Sequence, residues 1–429
     1  MKNLLDIYNL EVGKTFIEPI TALSDLIGFL LIIFLYLIFF IIYKKNRSIL
    51  LVITSAYFLR VFFILIGYYL VPLPDSLWDS RAIEYAALAN TQLSFNELIE
   101  ITKNAFLTSF FNFFALVYKV TGRSPLVLLA LINFISVLTI INISKISFEV
   151  WSDRKTQLKC LIFLSIMPVN ILYSSLILKE SLIIFILSTS LLIFIKFVKT
   201  GNFIYGYLSI FLYLLNVPFH TPLIIGTLPI FIYFFYKSFF EIIKYLKKGY
   251  LSLAVILNTF TIIFIALSIF TLLFSAGKTH VTYIHFFDSD ILQRLVIHAR
   301  NTFTSSASYP SFLLPSNEIE LIYLLPIKVF YFLFAPFPWD ISKVIHLFGF
   351  IDSLFTMLIF GLIILNYKKV INNKYFFILF SIFFLILITY TLGTGNYGTA
   401  IRHKFKFLFI MIVFSSMFLP NIKIKFKND

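Results

Sequence analysis

Residues 26–43 read LIGFLLIIFLYLIFFIIY, residues 44–47 read KKNR, and residues 48–71 read SILLVITSAYFLRVFFILIGYYLV. Each apolar run matches the about 20 residues that a helix needs to cross a hydrocarbon core of about 30 Å. The basic connector between them allows only a tight turn, so the pair predicts two antiparallel membrane helices. The same pattern of apolar run and polar break recurs near 124–145, 158–177, 181–198, 203–219, 222–237, 251–274, 350–367, 375–393 and 405–420, which predicts about eleven crossings. Composition agrees: of 429 residues 60% are hydrophobic and 13% charged, with a mean hydropathy of +0.95, against about 25% charged for a soluble domain. A soluble enzyme is excluded, and the expected fold is an all-α polytopic membrane protein. No internal repeat or Gly/Ser-rich linker divides the chain, which reads as a single integral-membrane domain over 1–429.

The net charge of +15 would suggest nucleic acid in a soluble chain, but topology accounts for it here. The basic connectors at 44–47, at Lys368, Lys369 and Lys374, and in the tail at Lys423, Lys425 and Lys427 fall on one side of the predicted bundle. By the positive-inside rule that side is cytoplasmic, with the N-terminus outside and the C-terminus cytoplasmic. A nucleic-acid partner is unnecessary. The scattered charges Lys2, Asp6, Glu11, Lys14 and Glu18 do not form the basic-then-apolar layout of a cleavable signal, so the first span is expected to act as its own insertion signal. The single cysteine, Cys160, excludes an intrachain disulfide and a cysteine-based metal site.

Two segments fit no simple crossing. Residues 106–121 (FLTSFFNFFALVYKVT) are short and end in charge, which predicts an interfacial helix. In 321–339, Pro326, Pro336 and Pro338 predict a re-entrant or surface hairpin. The long outer loops are then 72–123 and 275–349, with a short one at 394–404. Most of the 20 acids and all six histidines (His220, His280, His285, His298, His346 and His403) fall on this outer side, where the chemistry is expected.

The first loop carries Asp75, Asp79, Arg81 and Glu84 directly after a span. Asp79 is either a helix N-cap or a carboxylate that deprotonates an acceptor hydroxyl or holds a metal. Lys179 and Glu180 occupy a tight turn between spans, as interfacial markers or to orient an acceptor, and His220 lies between Pro218 and Pro222 at the same depth. Arg60 lies mid-span, where a cation costs about 2.5–3.5 kcal/mol unless paired or wet, so it must face inward, toward an ion pair or a polar substrate cavity. At 393–406 three glycines precede Arg402, His403, Lys404 and Lys406. Helix N-terminal amides with Arg402 there predict a pyrophosphate site, a basic collar on lipid head groups being the alternative. Arg294, His298 and Arg300 are candidates for the same site, Asp288 and Asp290 are candidate acids, and Phe334–Asp340 forms an aromatic edge suited to a lipid slot, a sugar platform or an interfacial anchor.

Taken together, PDSLWDSRAIEYAALA (74–89), MPVNILYSSLILKE (167–180), PFPWD (336–340) and NYGTAIRHK (396–404) resemble bacterial GT-C type membrane glycosyltransferases and Wzy-like polymerases of O-antigen or capsular repeat units. The resemblance implies a GT-C-like fold in the bacterial inner membrane that transfers a sugar or oligosaccharide from a polyprenyl phosphate or pyrophosphate carrier. It implies Asp79 or Asp75 as the first-loop acid, Arg402 with Arg300 as pyrophosphate ligands, and a chain-length regulator as partner. It leaves open whether a divalent metal, Mg or Mn, takes part. A lipid-linked oligosaccharide flippase is the rival reading, but only Arg60 lies mid-span and the polar residues concentrate in asymmetric loops.

Overall fold

The computed structural model describes residues 21–104, 109–249, 291–302, 307–341 and 344–421, with scattered positions between 253 and 267. The described residues are helical apart from turns and one isolated bridge, as expected for an α-helical membrane protein. Where the sequence reads as one domain, the chain packs as two compact units: residues 1–189 with 415–429, and residues 190–414.

Unit 1 contains α1 (Ala22–Tyr43), α2 (Arg47–Tyr69), α3 (Arg81–Asn90), α4 (Phe95–Asn104), α5 (Ser109–Thr121), α6 (Pro125–Trp151), α7 (Arg154–Ile166) and α8 (Pro168–Ser174), and α9 (Glu180–Thr200) runs across the boundary. The quoted hairpin forms as predicted. Thr21 and Ser24 cap α1 reciprocally, and the Asn46 side chain accepts from the Ile49 amide to start α2. The centre of the unit is α6, begun by Ser124 with Pro125 at its first position, where a missing N–H costs nothing. Leu126 packs so closely on Gly28 that an added Cβ there would stand 2.8 Å from it, so glycine sets the approach of α1 to α6. The outward face of α1 (Leu23, Leu26, Leu30, Ile33, Phe34, Ile41) is exposed and apolar, as suits a lipid-facing helix.

Unit 2 contains α10 (Phe203–Leu214), α11 (Thr227–Leu246), α12 (Ile291–Thr302), α13 (Glu318–Tyr323), α14 (Leu325–Phe334), α15 (Val344–Leu365), α16 (Tyr367–Ile371), α17 (Phe376–Gly393), α18 (Tyr397–Phe405) and α19 (Phe409–Ser415), the last ending at the boundary. Its centre is α17, on which α11, α12, α14 and the short turn Thr221–Gly226 pack. Phe383 and Tyr390 of α17 both meet the Phe407 ring, the latter stacked within 3°.

Among the described residues seven helices are long and apolar enough to cross a membrane, or eight if one bent pair counts as a span. The difference from eleven has local causes. Pro168 bends 158–177 by 61° between α7 and α8. Helix α10 ends before Pro218 after 12 residues, about 18 Å of rise, too short for the core. A turn at 406–408 breaks 405–420 so that only the short Phe409–Phe418 helix follows, and most of 251–274 lies outside the described residues. Of segment 106–121 the described part, Ser109–Thr121, forms the 13-residue α5, and 321–339 breaks into α13, α14 and a turn at Pro338–Asp340.

Broken helices leave unpaired carbonyls, and buried cations meet them. Pro168 has no N–H for the Leu164 carbonyl four residues earlier, and the Arg60 guanidinium donates to Leu164 and Ser165 (3.4 Å each) and to Ala56 at 2.9 Å. The Asn170 amide also donates to Leu164. In unit 2, Lys328 Nζ donates to the Leu392 carbonyl at the end of α17, and Lys404 Nζ to the Leu333 carbonyl at the end of α14. All three cations are buried and each sits at the negative end of a helix dipole.

Candidate functional site

The first-loop acids sit at one end of unit 1. Tyr68 and Tyr69 donate to Asp25 at the start of α1, and Ser124 donates to the Ser24 carbonyl, so the starts of α1 and α6 and the end of α2 meet there. The 44–47 turn lies at the opposite end of the same helices. Residues Ser76–Ser80 form a single π-helical turn leading into α3. Ser80 rather than Asp79 occupies the cap position of α3, and the Ser80 hydroxyl accepts from the Ile177 amide at 3.0 Å. Asp75 stands in the left-handed region (φ 63°), which aspartate tolerates better than most residues, and accepts from the Tyr173 hydroxyl at 3.2 Å. Ser181, beside the buried Glu180, donates to the Tyr173 carbonyl at 3.4 Å. The turn bearing Asp75 and Asp79 is thus fastened onto the 173–181 segment that carries Glu180.

A third acid of this loop, Glu84, is committed to packing. Glu84 takes a two-pronged contact from Arg123 (3.0 and 3.1 Å) and accepts from Tyr118 at 3.2 Å, all largely buried. Burial alone would lower the Arg123 pKa, but the Glu84 carboxylate outweighs it and leaves it raised. The Tyr118 hydroxyl is pushed up by burial and by the Glu84 charge. The sequence names Glu84, but Arg123 is 39 residues away and no local spacing links them. The hydrogen bonds of mid-span Arg60 go to the carbonyls of Ala56, Leu164 and Ser165.

In unit 2 the 394–397 loop is clamped: Tyr309 N donates to Gly395 O (3.0 Å) and Tyr397 N to Ala307 O (2.8 Å), forming an antiparallel bridge between Ser308 and Asn396. The Asn396 side chain caps α18 by accepting from the Thr399 amide at 2.7 Å. Two amides at this helix start are therefore already engaged, and the basic residues occupy its last turn, about 9 Å along the axis. The helix-start amides and Arg402, which the sequence places in one pyrophosphate site, are thus about six residues apart along α18.

Two of the basic residues, His403 and Lys406, meet His220 and Tyr390. His220 Nδ1 lies 2.9 Å from the Tyr390 hydroxyl, and its ring is 5.0 Å from that of His403, edge to face. Lys406 Nζ is 3.0 Å from His403 Nδ1 and 5.7 Å from the centre of the Tyr390 ring, on which His403 packs at 4.6 Å. Both imidazoles and Arg402 are half-buried, whereas Lys406 is fully buried. His220 opens the Thr221–Leu246 span and Tyr390 lies near the end of α17, so the cluster occupies span ends. Lys404, on the same helix as His403, instead points inside, 3.1 Å from Asp352 Oδ2, with both side chains at most 1% exposed. Asp352, Tyr390 and Lys406 are the residues the sequence reading left out of the site, although Lys406 lies within the motif it singled out.

The remaining candidates scatter. His298 packs against Gly393, where an added Cβ would stand 3.3 Å from its ring, and burial lowers its pKa. Arg300 donates to the Pro315 and Ser316 carbonyls at 3.1 and 2.8 Å, and Arg294 is exposed. His346 is buried with Nδ1 3.2 Å from the Asp340 carbonyl. His280, His285, Asp288 and Asp290 lie outside the described residues. Among the described residues no three His, Cys, Asp or Glu side chains converge to hold a metal ion. The chain matches no protein-family model, no characterised protein and no solved structure.

Proposed function

We propose that the chain transfers a sugar or an oligosaccharide repeat unit from a polyprenyl phosphate or pyrophosphate carrier to an acceptor hydroxyl, at the outer face of a bacterial inner membrane. The observation that carries this reading is the turn bearing Asp75 and Asp79, fastened by Tyr173 and Ile177 at a span end opposite the basic 44–47 turn. A carboxylate fixed there suits removal of a proton from the acceptor hydroxyl. The hydroxyl oxygen then bonds to the anomeric carbon, and the carbon–oxygen bond to the carrier breaks with its electron pair going to a phosphate oxygen. Arg402, His403 and His220 are assigned to the anionic carrier. Arg60 and Lys404 are assigned to packing, since their charges are met by carbonyls and by Asp352.

The test is an assay in nanodiscs with polyprenyl-pyrophosphate-linked repeat units, products being resolved on a gel beside Asp79→Asn and Arg402→Ala. A ladder that both substitutions abolish supports a polymerase, and a single added sugar supports a monosaccharide transferase. Absence of any product from folded protein overturns the reading and favours a flippase.

A further inference from the structure

Trp339 is 74% exposed, yet its ring is held in place. It stacks on Phe337 with ring centres 4.9 Å and planes 16° apart, and the buried Phe337 stacks in turn on Phe330 at 5.6 Å and 19°. The Trp339 indole N–H donates to the Tyr331 hydroxyl, and the Tyr331 ring stands edge-on to Phe337 at 5.4 Å. An indole fixed through one face and through its N–H, and still mostly exposed, presents its other face outward. A tryptophan that anchors a protein at the membrane interface keeps its N–H for the wet side. Here that N–H is engaged inside the protein. The next residue, Asp340, is half-buried, and its carboxylate accepts from the Phe337 amide at 2.9 Å and from the Tyr397 hydroxyl. A carboxylate has about four lone-pair sites, so acceptor capacity remains.

A flat π face beside an acceptor fits a ligand with an apolar C–H face and a rim of hydroxyls. The C–H bonds of a pyranose ring are polarised by their oxygens and meet the negative face of the indole, while a ring hydroxyl donates to the carboxylate. An acyl chain has no donor for Asp340, and a lipid phosphate is repelled by it. We propose that Trp339 and Asp340 form a binding subsite for a pyranose ring, Trp339 stacking on its C–H face and Asp340 accepting from a hydroxyl. The subsite goes beyond the transferase reading, since recognition of a sugar ring requires no transfer.

The test uses full-length protein labelled with fluorotryptophan in phosphatidylcholine nanodiscs. Its 3 tryptophans give separate fluorine resonances, and Trp339→Phe removes, and so assigns, one of them. The probes are the methyl glycosides of hexoses, deoxyhexoses and N-acetylhexosamines. At least one shifts the Trp339 resonance saturably, with saturation transfer from protein to the ring C–H protons. Binding weakens about tenfold in Trp339→Ala, the scale of one aromatic contact with its buried area. It weakens about fivefold in Asp340→Asn, which keeps an acceptor for the Phe337 amide and loses the charge. A water-soluble gadolinium chelate broadens the Trp339 resonance more than a lipid-borne nitroxide does.

A Trp339 resonance that no glycoside moves, or that the nitroxide broadens most, identifies an interfacial anchor and overturns the proposal. Wild-type affinity in folded Trp339→Ala overturns it as well, and if that variant does not fold, Asp340→Asn decides. A prenyl-pyrophosphate-linked sugar that binds more tightly than the matching methyl glycoside identifies the carrier-linked unit as the ligand, and equal affinities identify the acceptor glycan. Glycoside binding by a wild type that transfers no sugar retains the subsite and rejects the transferase reading. Transfer with no glycoside at Trp339 rejects the subsite alone.

Discussion

Lys404 and Asp352 separate a packing role from a substrate role. At 3.1 Å, with an effective dielectric constant of about 20, the pair attracts by about 5 kcal/mol, set against a dehydration cost of several kcal/mol for each of the two buried groups. Removing one partner leaves the other charge buried. Asp352→Leu, or Lys404→Met, should therefore each destabilise by about 3–5 kcal/mol, Lys404→Met also stranding the Leu333 carbonyl. The double variant removes both charges and should recover most of that loss, giving a coupling of about 2–4 kcal/mol. Unfolding of the four proteins in one detergent, followed by denaturant titration, completes the cycle. Additive losses would refute the pair as a packing element. Lys404→Met that stays fully stable but loses carrier binding would return Lys404 to the substrate site.

Two further outcomes test the first loop and the capping of α7. Glu84→Gln should cost about 2–3 kcal/mol of local stability and speed hydrogen exchange in α3 and α5 while leaving α1 unchanged; equal exchange in both proteins would mean that the Arg123 contact does not hold the loop. Asp153 accepts from the Thr156 hydroxyl and from the Thr156 and Lys155 amides, which holds its carboxyl below the ordinary range. A lowered folded pKa adds stability above the ordinary carboxylate range that is lost as pH falls through it. Asp153→Ala should thus cost about 1 kcal/mol at neutral pH and nothing in strong acid, and a gap that persists in acid contradicts the cap.

The hairpin at 26–71 was legible because apolar length and a basic turn are local signals. Span number was less so: Pro168 could be read as an interruption, but its 61° consequence depends on what packs against the bend. Asp79 stands out as an acid directly after a span and Arg402 as a cation on the side poor in positive charge, yet their neighbours are not marked by any such signal. Tyr173 reaches Asp75 across 98 residues and Tyr390 reaches His220 across 170, and no periodicity encodes a contact at that separation. The reading also treated Arg402, His403, Lys404 and Lys406 as one basic group. Helical geometry divides them, since residues two apart on a helix face different neighbours, and so Lys404 meets Asp352 while Lys406 meets His403.

Two of the three carbonyls that receive Arg60 belong to residues 164 and 165, more than a hundred positions later in the chain. At ordinary rates of synthesis, about 5–20 residues per second, they emerge roughly 5–20 seconds after the arginine. During that interval the arginine of the nascent second helix has only the Ala56 carbonyl of its own helix, so the opening hairpin is completed by a later part of the chain. It must wait, beside the insertion machinery or with its arginine hydrated, until the kinked helix arrives to accept it.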